Sequence, residues 1–346
     1  MPVSSPFLRA LGAAAAAALL AGCSGGSSTT AGMTATGRTA AQTRAAGSFF
    51  SASFNEMART QGLIYVADNT NAAVHIYPGR GKNQQEIGLI TGVPIVEYLN
   101  VDRWHNLYVV EFVAGKVLVY PRGATQPSLT LSVQPSGNFP NSVAISRDGE
   151  VAIGQFQTTG VEFYHKGAST PFNTVAPPPG FGSPGFCAYD AKGNLYVIGS
   201  QASAPSQIGE IVGGGKGTKI VNLGVNTGIT NAKGIQVDKQ GNVAVVGDDG
   251  TLNLYKPGSN TLVSSSQLLN PPDNGPDPNG GFSLMRAGKF LYVASAFLNR
   301  QNLGQAFQYA YPAGGAIRNT ITVQIPPSGN GQTAVTGVAV DPPEQP

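Results

Sequence analysis

Charge, cysteine and histidine are scarce in this chain. Asp, Glu, Lys and Arg make up 11% of its 346 residues and leave a formal net charge of +3, whereas an ordinary soluble domain has about 25% charged residues. Such a chain, which also lacks a basic run, does not favour nucleic acid as a partner. Two cysteines and three histidines offer little for a disulfide framework or a histidine-rich metal centre.

Glycine and proline are abundant instead. The chain has 46 glycines and 25 prolines, and 41% of its residues are hydrophobic. Enough apolar side chain is present to build a core, which excludes a disordered chain. The many turn-forming residues disfavour a helical protein and favour short strands joined by tight turns.

Residues 1–22 have the organisation of a secretion signal. Arg9 supplies the positive charge, and the apolar stretch of residues 11–20 is too short to cross a hydrocarbon core of about 30 Å. The stretch ends in Leu20-Ala21-Gly22-Cys23, which resembles the lipobox of bacterial lipoproteins. The resemblance implies that residues 1–22 are a lipoprotein signal peptide and that acyl chains such as palmitate are attached to Cys23.

A lipidated Cys23 implies a membrane partner and a place in the cell envelope. The protein is then anchored on the outer membrane, which Ser24 favours, or on the outer face of the cytoplasmic membrane, and it faces the periplasm or the exterior. Stable anchoring takes more than one acyl chain. The alternative is an ordinary secreted protein with a cysteine there by chance.

The segment that follows is rich in Ser, Gly, Thr and Ala. This composition cannot bury enough apolar surface to fold, so residues 23–58 are predicted to be the lipidated cysteine and a flexible tether, and residues 59–346 a folded domain. Phe49, Phe50 and Phe54 stand near the end of the tether. A tether has no use for three phenylalanines, so we expect this segment to pack on the domain as an extra strand.

One strand motif recurs down the chain. In its first copy an apolar run, Ile64-Tyr-Val-Ala67, is followed by a polar loop and by a second extended run that ends at Pro78-Gly79. The six copies follow one another at intervals of 43 to 48 residues. Their equivalent central residues are Tyr65, Tyr108, Ala152, Tyr196, Ala244 and Tyr292. A period of this length with several strands per unit is typical of β-propellers.

Every copy but the first has a further strand before it. The missing strand is found at the other end of the chain, in Gly337-Val-Ala-Val-Asp341. We therefore predict an all-β fold, a six-bladed β-propeller with four-stranded antiparallel blades. Residues 338–340 should pair with residues 64–67 in the first blade and close the ring, which removes open sheet edges.

Over residues 60–341 the repeat resembles the NHL-type repeats of six-bladed β-propellers. The resemblance is carried by Gly337-Val-Ala-Val-Asp341, by the Gly-Asn turn of Asp190-Ala-Lys-Gly-Asn194 and by Phe290-Leu-Tyr-Val-Ala-Ser295. It implies a fold and not an activity, because propellers serve as binding platforms, lactonases, lyases and scaffolds.

Propellers usually bind ligands at the mouth of the central channel, where loops follow each second strand and enter each innermost strand. Glu97, Gly185 and Gly281 fall at such positions. The candidate binding residues of this rim are Asp68, Glu111, Asn141, Gln155, Asn231 and Asp248.

Three of these rim residues are the alternative ligands of a divalent cation, which prefers oxygen. They are Asp68, Glu111 and Asp248. Gluconolactonase-like propellers hold a divalent metal with Glu, Asn and Asp ligands, but their full ligand set does not align with this sequence. We therefore expect no metal or other cofactor, and expect these carboxylates to cap turns or face water.

The remaining reactive residues do not form a set. His75, His105 and His165 fall on different blades and are expected to be unrelated. Cys187 lies in an innermost strand and is expected to be a buried, unpaired thiol. Trp104 is expected to pack between blades, the alternative being a surface anchor for a partner.

Residues 213–218 superficially resemble a phosphate-binding loop. Gly217 stands where Ser or Thr would have to follow the lysine, and no helix is predicted to follow. The stretch is therefore expected to be a loop between outer strands.

These features favour a lipid-anchored, monomeric propeller that acts as a binding or scaffold module for an unknown protein or small molecule. The alternative is a metal-dependent lactonase, another hydrolase or a lyase with its site at the channel mouth.

Overall fold

The computed structural model describes residues 47–135, 138–156, 160–201, 204–226, 228–229, 232–269, 282–284, 289–295, 303–323 and 334–342. In chain order its elements are β1 Phe49–Phe50, α1 Phe54–Gln61, β2 Leu63–Asp68, β3 Ala73–Pro78, β4 Gly88–Thr91, β5 Val96–Val101, β6 Leu107–Glu111, β7 Lys116–Tyr120, β8 Leu129–Ser132, β9 Phe139–Ile145, β10 Val151–Phe156, β11 Val161–Tyr164, β12 Asn173–Val175, β13 Ser183–Tyr189, β14 Leu195–Gln201, β15 Ala204–Ile211, a 3-10 turn Gly214–Lys216, β16 Val221–Asn226, β17 Ala232–Val237, β18 Val243–Gly247, β19 Thr251–Tyr255, β20 Leu262–Gln267, β21 Phe282–Leu284, β22 Phe290–Ser295, β23 Gln305–Ala310, β24 Gly314–Thr322 and β25 Val335–Asp341. In the described part of the chain, no helix has the length and apolarity that crossing a bilayer requires.

The strands form six sheets, which are the blades of a propeller. Blades 2 to 6 are four-stranded antiparallel sheets made of β5–β8, β9–β12, β13–β16, β17–β20 and β21–β24. Blade 1 has the strand order β1-β4-β3-β2-β25. Neighbouring innermost strands contact each other all the way round, from β25 through β5, β9, β13, β17 and β21 back to β25. The predicted six-bladed ring is confirmed.

The C-terminal strand closes the first blade in the predicted register. Ile64 pairs with Val340 and Val66 pairs with Val338 in an antiparallel ladder. Blade 1 is thus built from both ends of the folded chain, and β2 gains a partner on the side that faces the channel.

Within each blade we count strands outward from the channel. The second strand of a blade has apolar side chains on both faces, and these build the interfaces with the neighbouring blades. In β2, Leu63, Tyr65 and Ala67 join a core cluster shared with blade 2, whereas Ile64 and Val66 join one shared with blade 6. Six such clusters correspond to the six interfaces. Each fully buried side chain of this size contributes about 1.5–3 kcal/mol.

The turn between the first and second strands is fixed by a repeated aspartate. In blade 4, Asp190 accepts hydrogen bonds from the backbone N–H groups of Lys192 and Asn194 and from the Asn194 side-chain amide. Asp102 and Asp238 cap their turns in the same way. This is why the repeat places Asp four residues before Asn: one carboxylate satisfies three donors of a tight turn.

The three N-terminal phenylalanines pack on blade 1. Phe49 and Phe50 form β1, which pairs with β4 as a fifth strand, and the ring of Phe50 lies 4.4 Å from that of Phe54 in α1. Phe54 and Ala58 are buried in the interface between blades 1 and 2. The expected extra strand is present, and α1 spans residue 59, the predicted first residue of the folded domain.

A buried ionic cluster fixes the C-terminal end of the closing strand to blade 2. Asp341 is fully buried and contacts His105 Nδ1 at 2.6 Å and Arg122 Nε at 2.7 Å. Arg122 also donates to the carbonyl oxygen of Pro342 at 3.4 Å. The last residues of the ring are therefore held both by blade 1 and by its neighbour.

Candidate functional site

The propeller has two ends, which we name by the chain connections found there. At the upper end, second strands lead to third strands and outer strands lead to the next innermost strand. At the lower end, innermost strands turn into second strands. The sequence predicted the ligand site at the upper end.

The innermost strands share an irregularity at the upper end. In five blades the pairing with the second strand shifts by one residue, which marks a β-bulge. The bulged residues are Glu97 in β5, Asn141 in β9, Gly185 in β13, Lys233 in β17 and Thr336 in β25. A bulge redirects one side chain out of the alternation of the strand. The repetition of the bulge in one register therefore collects these residues at one channel mouth, which we call the upper mouth.

Glu97 and Lys233 face each other across the upper mouth. They belong to blades 2 and 5, which are opposite in a ring of six. Burial raises the pKa of the Glu97 carboxyl to about 7, and the positive charge of Lys233 partly offsets that rise. At neutral pH this carboxyl is therefore poised between its protonated and ionised forms.

The other bulged residues contact their neighbours around the mouth. A Cβ added to Gly185 would stand 3.1 Å from Asn141 Nδ2, so the missing side chain at Gly185 makes room for the amide. The hydroxyl of Thr336 donates to the carbonyl oxygen of Val96 in blade 2. The mouth thus presents a carboxyl, an ammonium, an amide and a hydroxyl.

A hydrogen bond crosses the channel below these residues. Gln236 Nε2 in blade 5 donates to the hydroxyl of Tyr98 in blade 2 at 3.2 Å. Tyr98 is buried, and its ring lies 6.1 Å from that of Phe186 in blade 4. This bridge between opposite blades separates the upper mouth from the lower end.

The lower end contains a cavity of about 530 Å³. Its lining includes Gln236, the turn aspartates Asp190 and Asp238, and the cations Arg103 and Arg147. The aspartate oxygens are already occupied by turn N–H groups. These aspartates build the walls of the cavity and are less available to a ligand than the Glu97 carboxyl is, which makes the lower cavity a weaker candidate for a ligand site than the upper mouth.

Three of the predicted rim residues are buried inside their blades. Asp68 accepts hydrogen bonds from the N–H groups of Thr70, Asn71 and Ala334. Glu111 is paired in register with Lys116, and burial raises the pKa of its carboxyl. Gln155 is fully buried. These side chains support the loops at the upper end and do not line its opening.

The other predicted rim residues have different positions. Asn141 is a bulged residue of the upper mouth. Asp248 lies in the turn after β18 and is half-buried. Asn231 falls outside the described residues, and the bulge of its blade is at Lys233, two positions further on. The bulge that brings Lys233 to the mouth does not alter the apolar pattern of the sequence, so the sequence did not predict this residue at the mouth.

The three predicted metal ligands do not fit a metal centre. Asp68, Glu111 and Asp248 lie on blades 1, 2 and 5, and the oxygens of Asp68 are occupied by backbone and side-chain donors. Among the residues that the structure describes, no cluster of three or more His, Cys, Asp or Glu side chains is arranged to hold a metal ion.

His75 is buried between two carboxylates. Its Nδ1 lies 3.0 Å from Glu86 Oε1 and its Nε2 lies 3.4 Å from Asp68 Oδ2. Burial by itself lowers the pKa of His75, but the two carboxylates outweigh it and raise the pKa above its ordinary value. This histidine lies between two carboxylates of blade 1. It is separate from His105 of the closing cluster and from His165, which stacks on Phe172 at 3.9 Å.

Trp104 and Cys187 lie at interfaces between blades. The Trp104 ring lies 3.3 Å below the ammonium of Lys166 of blade 3, and 38% of its surface is exposed. Cys187 is a buried free thiol in β13, and burial raises its pKa to about 11, which makes it unreactive.

The glycine-rich stretch lies between β15 and β16, as predicted. The N–H of Gly215 donates to Glu150 Oε1 at 2.8 Å, and Glu150 also accepts from the Tyr189 hydroxyl at 2.7 Å. The anion held by this loop is thus a carboxylate of blade 3.

Comparison with known proteins identifies the fold and no family. No family model matches the chain, and no curated protein matches it. The fold is similar to a chain of a nidogen/laminin complex, with a TM-score of 0.61 and 14% identity over 80% of this chain and 98% of that one.

Two further solved structures share the fold. A protein of unknown function from Bacteroides caccae has a TM-score of 0.57 and 11% identity over 82% of this chain and 99% of that one. Kuenenia stuttgartiensis hydrazine synthase has a TM-score of 0.50 and 14% identity over 71% of this chain and 73% of that one.

Proposed function

We propose that this protein is a lipid-anchored binding module of the cell envelope, with a ligand site at the upper mouth. One observation carries the proposal: bulges in a common register bring Glu97, Asn141, Lys233 and Thr336 to the mouth of a channel that is bridged below them. Bulges are over-represented next to functional sites because they re-aim side chains. The anchor and the envelope location rest on the lipobox that ends at Cys23.

The chemistry of the mouth favours a small polar ligand with both charges. An ammonium group of the ligand would pair with the Glu97 carboxylate, and an acidic group would pair with Lys233. Small zwitterions, which carry one ammonium and one acidic group, are therefore the class of ligand that best fits the upper mouth. Amide and hydroxyl groups of Asn141 and Thr336 would fix its orientation, as the few polar groups of ligand sites do.

The test uses the Cys23→Ala protein, which we expect to leave the membrane fraction, with glycine, succinate and putrescine as zwitterionic, dianionic and dicationic probes. In calorimetry we expect glycine to bind most tightly.

Glu97→Gln and Lys233→Gln should each weaken binding about tenfold or more, because each loses a charge-assisted hydrogen bond. The control Lys239→Gln, at the lower end, should bind as the parent does. Unchanged binding in Glu97→Gln and Lys233→Gln, or no binding of any probe, would place the ligand site elsewhere. Membrane retention of Cys23→Ala would separately refute the anchor.

A hydrolase or lyase is the second candidate, favoured by the pKa of about 7 at Glu97. A carboxyl poised near neutral pH is suited to general acid–base catalysis. If the mouth acts in this way, acid release from a simple lactone should depend on Glu97 and should be lost in Glu97→Gln. A rate in Glu97→Gln equal to that of the parent would reject this candidate.

A further inference from the structure

A cationic groove lies at the seam where the ring is closed. It occupies about 540 Å³ between blades 6 and 1, and we call it the seam groove. One wall is the loop between β3 and β4, which carries Arg80 and Lys82. The other wall belongs to blade 6 and carries Lys289 before β22 and Arg318 in β24.

The charge of the seam groove is one-sided. Its four cationic side chains are exposed, and among the described residues that line it there is no carboxylate. Within the described part of the chain none of the four forms an ion pair. Glu86, the carboxylate of the same loop, is turned inward to His75 and its side chain is only 17% exposed. In a chain with a net charge of only +3, this is a concentrated positive site.

The two walls are held together before any ligand arrives. Asn319 Nδ2 of blade 6 donates to Gln84 Oε1 at 2.9 Å and to the carbonyl oxygen of Gly81 at 3.3 Å. Gln84 in turn donates to the carbonyl oxygen of Pro78 at 3.2 Å. Since the loop is already tied to blade 6, a ligand does not have to pay for ordering it.

The shape of the seam groove favours a small soluble ligand. The groove is a recess of about 540 Å³ between the β3–β4 loop and blade 6, and a recess of this size suits a small molecule better than the flat surface of a bilayer.

We propose that the seam groove binds a soluble organic polyanion that carries at least two phosphate groups. Guanidinium groups pair with phosphate oxygens in a two-point geometry and ammonium groups add point charges. Two arginines on opposite walls, Arg80 and Arg318, match two phosphate groups on one small molecule. The volume lies within the range of small-ligand sites, roughly 300–1,000 Å³. This site is independent of the one proposed at the upper mouth.

The experiment measures binding of a sugar bisphosphate, a sugar monophosphate and vesicles of anionic phospholipid to the purified full-length chain with Cys23→Ala, so that acyl chains at Cys23 cannot themselves bind the vesicles. We expect the bisphosphate to bind about tenfold or more tightly than the monophosphate, and its affinity to fall as salt rises because exposed charges are screened. Arg80→Ala and Arg318→Ala should each weaken bisphosphate binding about fivefold or more, as expected for the loss of a charge-assisted pair.

The matched control is Lys219→Ala, which removes an exposed cation from blade 4 and should leave the affinity unchanged. Lys82→Gln provides a second variant that keeps a hydrogen-bonding side chain and should weaken binding. Equal binding of mono- and bisphosphate, equal loss in Lys219→Ala, or binding of vesicles without binding of the sugar bisphosphate would overturn the proposal. Thermal unfolding of each variant at the parental temperature would show that a loss reflects the groove and not the fold.

Discussion

At the scale of single residues, some carboxyl groups of this protein are fully hydrogen-bonded, whereas another is buried with little to stabilise its charge. The turn aspartate Asp190 has its oxygens satisfied by three donors. Glu97 sits at a bulge and is largely buried, and the charge of Lys233 favours its ionised form. A structural carboxylate is stabilised by its donors, whereas Glu97 is held where ionisation is costly. Such tension is typical of residues kept for function.

Glu97→Gln should therefore stabilise the fold in a pH-dependent way. The carboxyl has a pKa of about 7 in the fold against 4.5 for the ordinary group. Because the pKa is higher in the folded protein than in the unfolded chain, the protonated carboxyl contributes to the free energy of unfolding at low pH. This contribution is lost as the pH rises towards 7 and above. Near pH 8 the substitution should raise the free energy of unfolding by about 2–3 kcal/mol, and near pH 4 the gain should vanish.

Urea unfolding at the two pH values measures this difference. Glu56→Gln is the matched control, because Glu56 is 61% exposed and should show no such gain. A gain of the same size at both pH values would mean that packing, and not ionisation, is responsible.

Residue-scale placement is also where the sequence was least informative. The pattern indicated Asp68, Glu111 and Gln155 as rim residues because each ends a second strand. All three side chains are instead buried, and Asp68 accepts hydrogen bonds from the backbone of its own loop. The groups that reach the upper mouth are set by bulges, and Lys233 could not be located because a bulge depends on how the blades pack.

At the scale of elements, the short turn between the first and second strands is the most regular feature. Asp102, Asp190 and Asp238 each accept from two backbone N–H groups and from an asparagine four residues later. In blade 3, Ser146 replaces the aspartate and its hydroxyl accepts from the N–H of Glu150. These bonds, and not apolar burial, hold the turns.

Asp190→Ala should destabilise blade 4 by about 1–2 kcal/mol, because turn donors lose their acceptor. Asp190→Asn keeps one acceptor oxygen and should cost less. The measurement is urea unfolding of both variants, with Asp148→Ala in the serine-capped turn of blade 3 as the control. If the Asn and Ala variants lose the same stability, the charge of Asp190 holds the turn and its hydrogen bonds do not.

Elements were the level at which the sequence was most informative. The apolar runs at intervals of 43 to 48 residues located every second strand, because side chains on both faces of these strands must meet a neighbouring blade. Outer strands have a weaker apolar pattern: β24, from Gly314 to Thr322, mixes buried, half-buried and exposed residues. An outer strand has solvent on one side, so its sequence is less constrained.

At the scale of the whole molecule, the ring depends on joining its two ends. The ladder between β2 and β25 supplies the backbone pairing, and the core cluster shared by blades 6 and 1 supplies the apolar contact. The Asp341 cluster adds a third connection, to blade 2. The apolar pattern predicts the first two connections. The third depends on His105 and Arg122, which are distant in sequence from Asp341 and carry no shared motif.

The Asp341 cluster gives a test of how the ring is held shut. Asp341→Asn leaves the ladder intact but removes the buried charge opposite Arg122, and breaking a buried pair in this way typically costs about 3–5 kcal/mol. We expect a large loss of stability in urea unfolding, accompanied by faster proteolysis of the C-terminal strand. The double variant Arg122→Met with Asp341→Asn should lose less stability than the two single variants together, because neither charge is then left without its partner. Additive losses, or a single variant as stable as the parent, would mean that the ladder and the apolar interface alone keep the ring closed.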